Sequence, residues 1–305
     1  MHIEICLYLG YWLFRKNIKM NHKFNEIDWV DFLKKSIPKS RAILTGIGDD
    51  CAEVRLGREK FLLKSDLFIE GIHFKLKDIS FYNIGVRAVS RVLSDFASCN
   101  GWPKFLGISI GLPKYLKEKN IKEILEGVLV LSKKYGFSLV GGDTSYSQIL
   151  FLDVWAVGSS KKFIKRSTAK TGDYIFLTGP LGRRKFNKSF VPRIKEAQYL
   201  SKNFKINSMI DISDGFSLDL YRLLKESGKG ALLCKKEIPL TSGESDLARG
   251  EDYELIFTVD KSEKKISLLK SKFYFIGTIR ERNFGYKIKR NSKLENIKIN
   301  GYTHF

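Results

Sequence analysis

Residues 81–98, FYNIGVRAVSRVLSDFAS, narrow the choice of fold more than any other stretch. Ile84, Ala88, Val92 and Phe96 recur at helical spacing, and Val89, Leu93 and Ala97 widen the apolar stripe beside them. A helix with so broad an apolar arc needs extensive cover. Strand-like runs lie on either side, at 61–63 and around Ile69 before it and over 105–112 after it. Further helices are predicted over 25–36, with Pro38 just past the end, and over 119–135, stopped by Gly136. Two strands follow, predicted at 138–140 and 149–157. The second half repeats the style, with strands predicted at 174–178, 231–234, 253–259 and 273–279 and a helix over 213–227 closed by Gly228. Alternating strands and helices imply an α/β or α+β fold. A chain of 305 residues has room for two domains. The change of composition at Gly158-Ser-Ser-Lys-Lys puts the boundary near 160. The expected divisions are an extension over 1–23, an N-terminal domain over 24–159 and a C-terminal domain over 160–305.

Residues 1–19 are apolar first and basic afterwards, the reverse of a secretory signal. Met20 as the physiological start, or an appended strand over 1–19, are the expectations here. No apolar run approaches the roughly 20 residues of a spanning helix, so no membrane partner is expected. Cys6, Cys51, Cys99 and Cys234 show no paired spacing for zinc or a disulfide framework, which points to a reducing, cytoplasmic setting. The chain carries 54 Lys and Arg against 33 Asp and Glu, a net charge of +21. Such a surplus attracts polyanions. Yet the lysines are spread along the chain, and no helix-turn-helix, RRM or KH signature accompanies them, so nucleic acid is not an expected partner.

Acid is the minority charge, and its placement is selective. Asp49 and Asp50 lie in GIGDDCAEV, Asp66 in KSDLFIEGIHF, Asp95 in VLSDFAS, Asp143 in GGDTS, Asp211 and Asp214 in DISDGFSLDL, and Glu251 in GEDYEL. Most stand beside Gly, Ser or Thr. Each alone has an ordinary reading as a cap, a turn residue or a solvated position. If they converge, they repel one another unless a cation intervenes. Magnesium is the natural one, because it prefers oxygen ligands and shares them with substrate phosphates. No P-loop, protein-kinase, HExxH or GxSxG signature is present. Histidine is scarce, and only His73 lies within a motif.

Taken in order, GIGDDCAEV, KSDLFIEGIHF, VLSDFAS, GGDTS, RSTAKTGDYIFLTGPLG, DISDGFSLDL, GEDYELIFTV and the closing GYTHF resemble the thiamine-monophosphate kinase family. That family belongs to a superfamily with aminoimidazole ribonucleotide synthetase and selenophosphate synthetase. The resemblance covers roughly residues 24–305. It implies that ATP and thiamine monophosphate give thiamine diphosphate and ADP with several Mg2+ ions. It also implies a homodimer whose N-terminal domains pair into a β-barrel, each with a C-terminal α+β domain. Carried over by position, Asp50, Ser65, Asp66, Asp95, Asp143, Asp211 and Asp214 become metal ligands. Gly142, Asp143, Arg166 and Ser213 become ATP contacts, and His73, Glu251 and Tyr302 thiamine-phosphate contacts. Asp66, Asp143 and Arg166 are the catalytic candidates. The acceptor oxygen is largely ionised near neutral pH, since its second pKa is ~6, so no general base is required. The alternative is an ATP-using synthetase of the superfamily with another acceptor. The chain departs from the family pattern at Lys64, where Ser or Thr is usual, and at Arg249, where Gly is usual. Its segments 182–208 and 236–248 are short.

Overall fold

The computed structural model describes residues 26–38, 40–183 and 189–304, so the predicted extension over 1–23 lies outside the described residues. The chain divides into two compact units. In one, helix α1 (Glu26–Ser36) starts with Glu26 and Asp28 and ends with Lys34 and Lys35, charges that complement the helix dipole. The backbone N–H of His304 donates to Glu26 of the same unit.

The other unit, residues 38–302, holds two sheets. Its first half runs β1 (Ile43–Thr45), β2 (Ala52–Leu56), β3 (Glu59–Ile69), α2 (Phe81–Ser98), β4 (Trp102–Leu112), α3 (Glu118–Tyr135), β5 (Ser138–Tyr146) and β6 (Phe151–Ser159). The strands order as β1-β2-β3-β6-β4-β5, and every pairing is antiparallel except β4 with β5. Helix α2 is N-capped by Ser80, whose hydroxyl accepts from the Asn83 N–H. Its broad apolar arc is buried, with Ile84, Val89, Val92, Leu93 and Phe96 all within the core. Each such side chain contributes about 1.5–3 kcal/mol on burial. Helix α3 crosses α2 with glycine on both sides of the contact. A Cβ on Gly85 would lie 2.0 Å from Ile124 O, and one on Gly127 would lie 2.1 Å from Tyr82 O.

The second half runs β7 (Tyr174–Leu177), α4 (Ile194–Asn203), β8 (Ile206–Asp211), α5 (Phe216–Ser227), β9 (Lys229–Cys234), β10 (Leu255–Val259), β11 (Tyr274–Glu281), β12 (Tyr286–Arg290) and β13 (Lys293–Asn296). Its sheet orders as β13-β12-β9-β11-β7-β10-β8. One core cluster joins the two halves: Phe96 and Leu106 belong to the same cluster as Leu200 of α4 and Phe257 of β10. A second cluster gathers under α5, with Leu220, Leu223, Ile256 and Ile279.

Three local expectations change. The runs at 61–63 and around Ile69 are one strand, β3, that continues through Lys64-Ser65-Asp66. The sequence Gly-Gly-Asp-Thr-Ser is not a turn but the middle of β5, paired residue for residue with β4. Helix α5 begins at Phe216 after a Gly215 N-cap, so Ser213 and Asp214 sit in the turn before it. Among the described residues no helix is long and apolar enough to cross a membrane.

Candidate functional site

Alternation along β3 decides which of its side chains meet α2. Leu62 and Phe68 are buried on that face, and between them Lys64 and Asp66 point the same way. Lys64 Nζ lies 3.1 Å from Asp95 Oδ2 on α2. Arg91, one turn earlier on α2, donates from Nε to Asp66 Oδ2 at 3.0 Å. Arg87, a further turn back, is 2% exposed and donates to Glu251 Oε2 at 2.6 Å. Arg87, Arg91 and Asp95 thus form a charged row at four-residue spacing down one edge of an otherwise apolar helix.

Asp95 meets two other carboxylates. Single oxygens of Asp50, Asp95 and Asp211 lie within 4.8 Å of one another, and all three residues are buried. Asp50 comes from the turn after β1 and Asp211 from the end of β8. Ser94 Oγ donates to Asp211 Oδ2 at 2.6 Å. The Arg166 guanidinium pairs with Asp50 Oδ1, and the Arg166 N–H donates to Asp49 Oδ2 at 3.2 Å. Asp50 Oδ2 is buried with no hydrogen-bond partner among the described residues.

The electrostatics reflect this crowding. Burial pushes the Asp211 carboxyl up to about 7, helped by the charge of Asp50 and opposed by Ser94. Burial likewise raises Asp49 to about 6, with Asp50 adding to it and Arg166 opposing. Asp95 is held well above the usual carboxylate range by burial, Lys64 opposing and Asp211 and Asp66 adding. Asp66 differs: burial pushes it up, but Arg91 and Lys64 outweigh that and hold it low. Buried acids close together, one with an open lone pair, are the donor set a hard divalent cation takes. Asp50, Asp95 and Asp211 therefore fit a Mg2+-sized ion.

The expected site residues divide by position. Asp50, Asp95, Asp211 and Arg166 come together, and Asp66 lies near enough to feel the charge of Lys64, which contacts Asp95, while it pairs with Arg91. Glu251 is tied in through Arg91, whose Nη1 lies 3.6 Å from Glu251 Oε1 and donates to the Tyr253 hydroxyl at 2.9 Å. Glu251 and Tyr253 hold positive φ, 67° and 50°, which side-chain-bearing residues seldom adopt. Such backbone strain persists at functional loops when the surroundings enforce it. Here the N–H groups of Glu251 and Tyr253 donate to Ser213 O and Ile212 O. His73 is buried beside Phe68, and its Nδ1 accepts from the Ile69 N–H at 3.0 Å.

Asp214 stands apart from the trio. It pairs with Arg222, and its carbonyl accepts from the Tyr302 N–H. Ser213 occupies the same turn, and its N–H is taken by Asp219. Ser65, Gly142 and Asp143 lie elsewhere again. Ser65 points to the face of β3 away from α2, where its hydroxyl donates to Asp153 at 2.5 Å. Asp143 pairs through Ser109 with Asp153 in register, which puts it on that same open face. Its neighbour Gly142 has φ 152°, and a Cβ there would lie 1.7 Å from Ile108 O, so only glycine fits.

Arg87, Arg91, Tyr253 and Asp219 were not among the sequence-derived candidates. The four-residue spacing of Arg87, Arg91 and Asp95 was the available signal for the first two. Tyr253 and Asp219 stand inside the GEDYEL and DISDGFSLDL motifs and carried no separate one.

The AIR synthase related protein, N-terminal domain, model matches residues 48–160. The thiamine-monophosphate kinase of Pyrococcus horikoshii is 29% identical, with 85% of this chain and 90% of that protein covered. A solved structure, AaThiL complexed with AMPPCP and TMP, superposes with a TM-score of 0.79 at 26% identity, covering 94% of this chain and 100% of that one. The thiamine-monophosphate kinase of Buchnera aphidicola subsp. Schizaphis graminum is 30% identical over 93% of this chain and 99% of its own length. With so similar a relative matched almost from end to end, the chain belongs to the thiamine-monophosphate kinase family.

Proposed function

We infer that this protein is an ATP-dependent kinase that transfers the γ-phosphoryl group to thiamine monophosphate, giving thiamine diphosphate and ADP. The observation that carries the reading is the buried trio of Asp50, Asp95 and Asp211, with an open oxygen on Asp50 and Arg166 beside it. Family membership and the AMPPCP and TMP held by the related structure supply the substrates.

Magnesium ions bound by the trio would screen the negative charge of both phosphate groups during in-line transfer. The protein's own part is placement. Arg166 contributes a fixed cation whose planar fork suits phosphate oxygens. Arg91 couples the metal side to Glu251, since it touches Asp66 and Glu251 at once. We assign His73, Glu251 and Tyr302 to the thiamine phosphate, and Gly142, Asp143, Arg166 and Ser213 to ATP. Asp66 neighbours the trio and joins its proposed metal set, while Ser65 and Asp143 on the open face of the sheet and Asp214 in the turn before α5 are proposed as ligands of further, separate Mg2+ ions. A histidine-poor site is adequate because the acceptor needs no base.

We further propose a homodimer formed on the open face of the first sheet. Leu63, Leu67 and Phe105 are exposed there at 40%, 47% and 49%, an apolar patch beside Ser65 and Asp143. Strand β5 is exposed throughout and forms the sheet edge, which invites pairing with a second copy. Closure of two such faces would make the β-barrel implied by the family. In this reading residues 24–159 bind ATP and Mg2+ and dimerise, residues 160–305 form the second domain, and the enzyme works in the cytoplasm.

The test is ADP release from ATP in a coupled assay, with thiamine monophosphate as acceptor, with and without Mg2+. Turnover that needs both is the expected result. ADP release with an aminoimidazole precursor or selenide, and none with thiamine monophosphate, would transfer the protein to another branch of the superfamily.

A further inference from the structure

The acidic trio contains a cation of its own. Lys64 leaves β3 on the face toward α2, is 23% exposed, and ends 3.1 Å from Asp95 Oδ2. The surrounding carboxylates are Asp50, Asp66, Asp95 and Asp211, and Asp66 is already held by Arg91. Arg166 faces the trio from Asp50 Oδ1. An ammonium group brings positive charge and three donors, but no lone pair for a metal. Asp95 therefore enters the cluster with one oxygen occupied. Ser or Thr at this position would offer an oxygen ligand instead.

We propose that the Lys64 ammonium is a resident cation of the site, and that it takes the place of one divalent ion that the same carboxylates would gather around a hydroxyl at position 64. The proposal rests on the reading of the trio as a divalent-cation site. Its physical basis is charge and space. The ammonium lies against Asp95, so an ion seated there would meet a like charge at short range. Asp50, which pairs with Arg166 and not with Lys64, keeps Oδ2 without a hydrogen-bond partner among the described residues, and that oxygen is left for a metal.

Titration of the full chain with Mn2+ alone, followed by electron paramagnetic resonance of the free ion, counts bound ions without reference to turnover. Lys64→Ser is expected to bind one Mn2+ more per chain than the unaltered protein, and Lys64→Arg the same number as the unaltered protein. Equal counts for Lys64→Ser and the unaltered protein overturn the proposal, as does an absence of Mn2+ binding in both. Should circular dichroism show Lys64→Ser unfolded, Lys64→Gln replaces it, since it keeps most of the side-chain length. At least tenfold tighter Mn2+ binding is then expected, and an unchanged or weaker affinity overturns the proposal. A difference in ion count alongside failed ADP release would reject the substrate assignment and leave the role of Lys64 standing.

Discussion

Asp219 and Asp50 are both buried carboxylates, 1% and 3% exposed, yet they do opposite things. Asp219 Oδ2 accepts from three successive N–H groups, those of Ser213, Asp214 and Gly215, at 3.1, 3.0 and 3.1 Å. Its other oxygen pairs with Arg222 at 2.9 Å. Asp50 gives one oxygen to Arg166, and its other oxygen has no hydrogen-bond partner among the described residues. A carboxylate whose lone pairs are all engaged inside the fold holds a turn in shape. One that is buried and left partly open is shaped for something that arrives from outside. Burial and acidity alone do not separate the two, and the partners of each oxygen do.

The sharpest break of this contrast is Asp219→Ala. It removes one carboxylate from Arg222, which keeps Asp214, and deprives three N–H groups of their acceptor, and should cost about 3 kcal/mol of stability. Urea unfolding measures it, and a loss below 1 kcal/mol would remove the structural role. Next come Asp66→Asn and Asp143→Asn, each expected to cut turnover by at least about 10²-fold with the fold retained. Near-normal rates in both purified variants reject the proposed metal roles. A smaller effect concerns the ion itself. Mg2+ at ten times its dissociation constant should stabilise the chain by about 1.4 kcal/mol, and Asp50→Asn should abolish that gain while Asp214→Asn leaves a part of it. Thermal unfolding with Mg2+ or with EDTA decides it.

The smallest effect extends the contrast to the surface. Asp260 accepts from the N–H and hydroxyl of Ser262, and these bonds hold its carboxyl down at about 2. A depressed folded-state value contributes stability above the unfolded pKa of ~3.9, lost as pH falls through about 2. Asp260→Asn should therefore flatten the stability profile between those values and lower it by a small constant amount, without change of slope, above pH 5. An unaltered acid limb would show that the bonds to Ser262 do not form in solution.

Much of the fold was legible because periodicity is local. The span 81–98 is helical as expected, since Ile84, Ala88, Val92 and Phe96, with Val89, Leu93 and Ala97 beside them, recur every four residues. The failures are places where distant contacts overrule local signals. Gly141, Gly142, Asp143 and Thr144 read as a turn, but register with β4 makes them strand. Lys64 and Asp66 interrupt an apolar run, yet charges on α2 compensate them inside the layer. Of the site, the acids Asp50, Asp95 and Asp211 were legible from their motifs. Their counter-charges on α2 were not, because Arg87 and Arg91 sit on a helix read for its apolar stripe.

The trio is assembled from three parts of the chain that never adjoin in sequence: a turn after β1, the body of α2 and the tip of β8. Its geometry is therefore a gauge of how the two sheets are seated. Any slippage between layers spreads the oxygens, and any ion that bridges them pins the layers like a rivet. Under the proposed role of the trio, readiness to hold phosphate and mechanical stiffness become one property of the molecule, so looseness deep in the shared core, far from any substrate, would dull the chemistry.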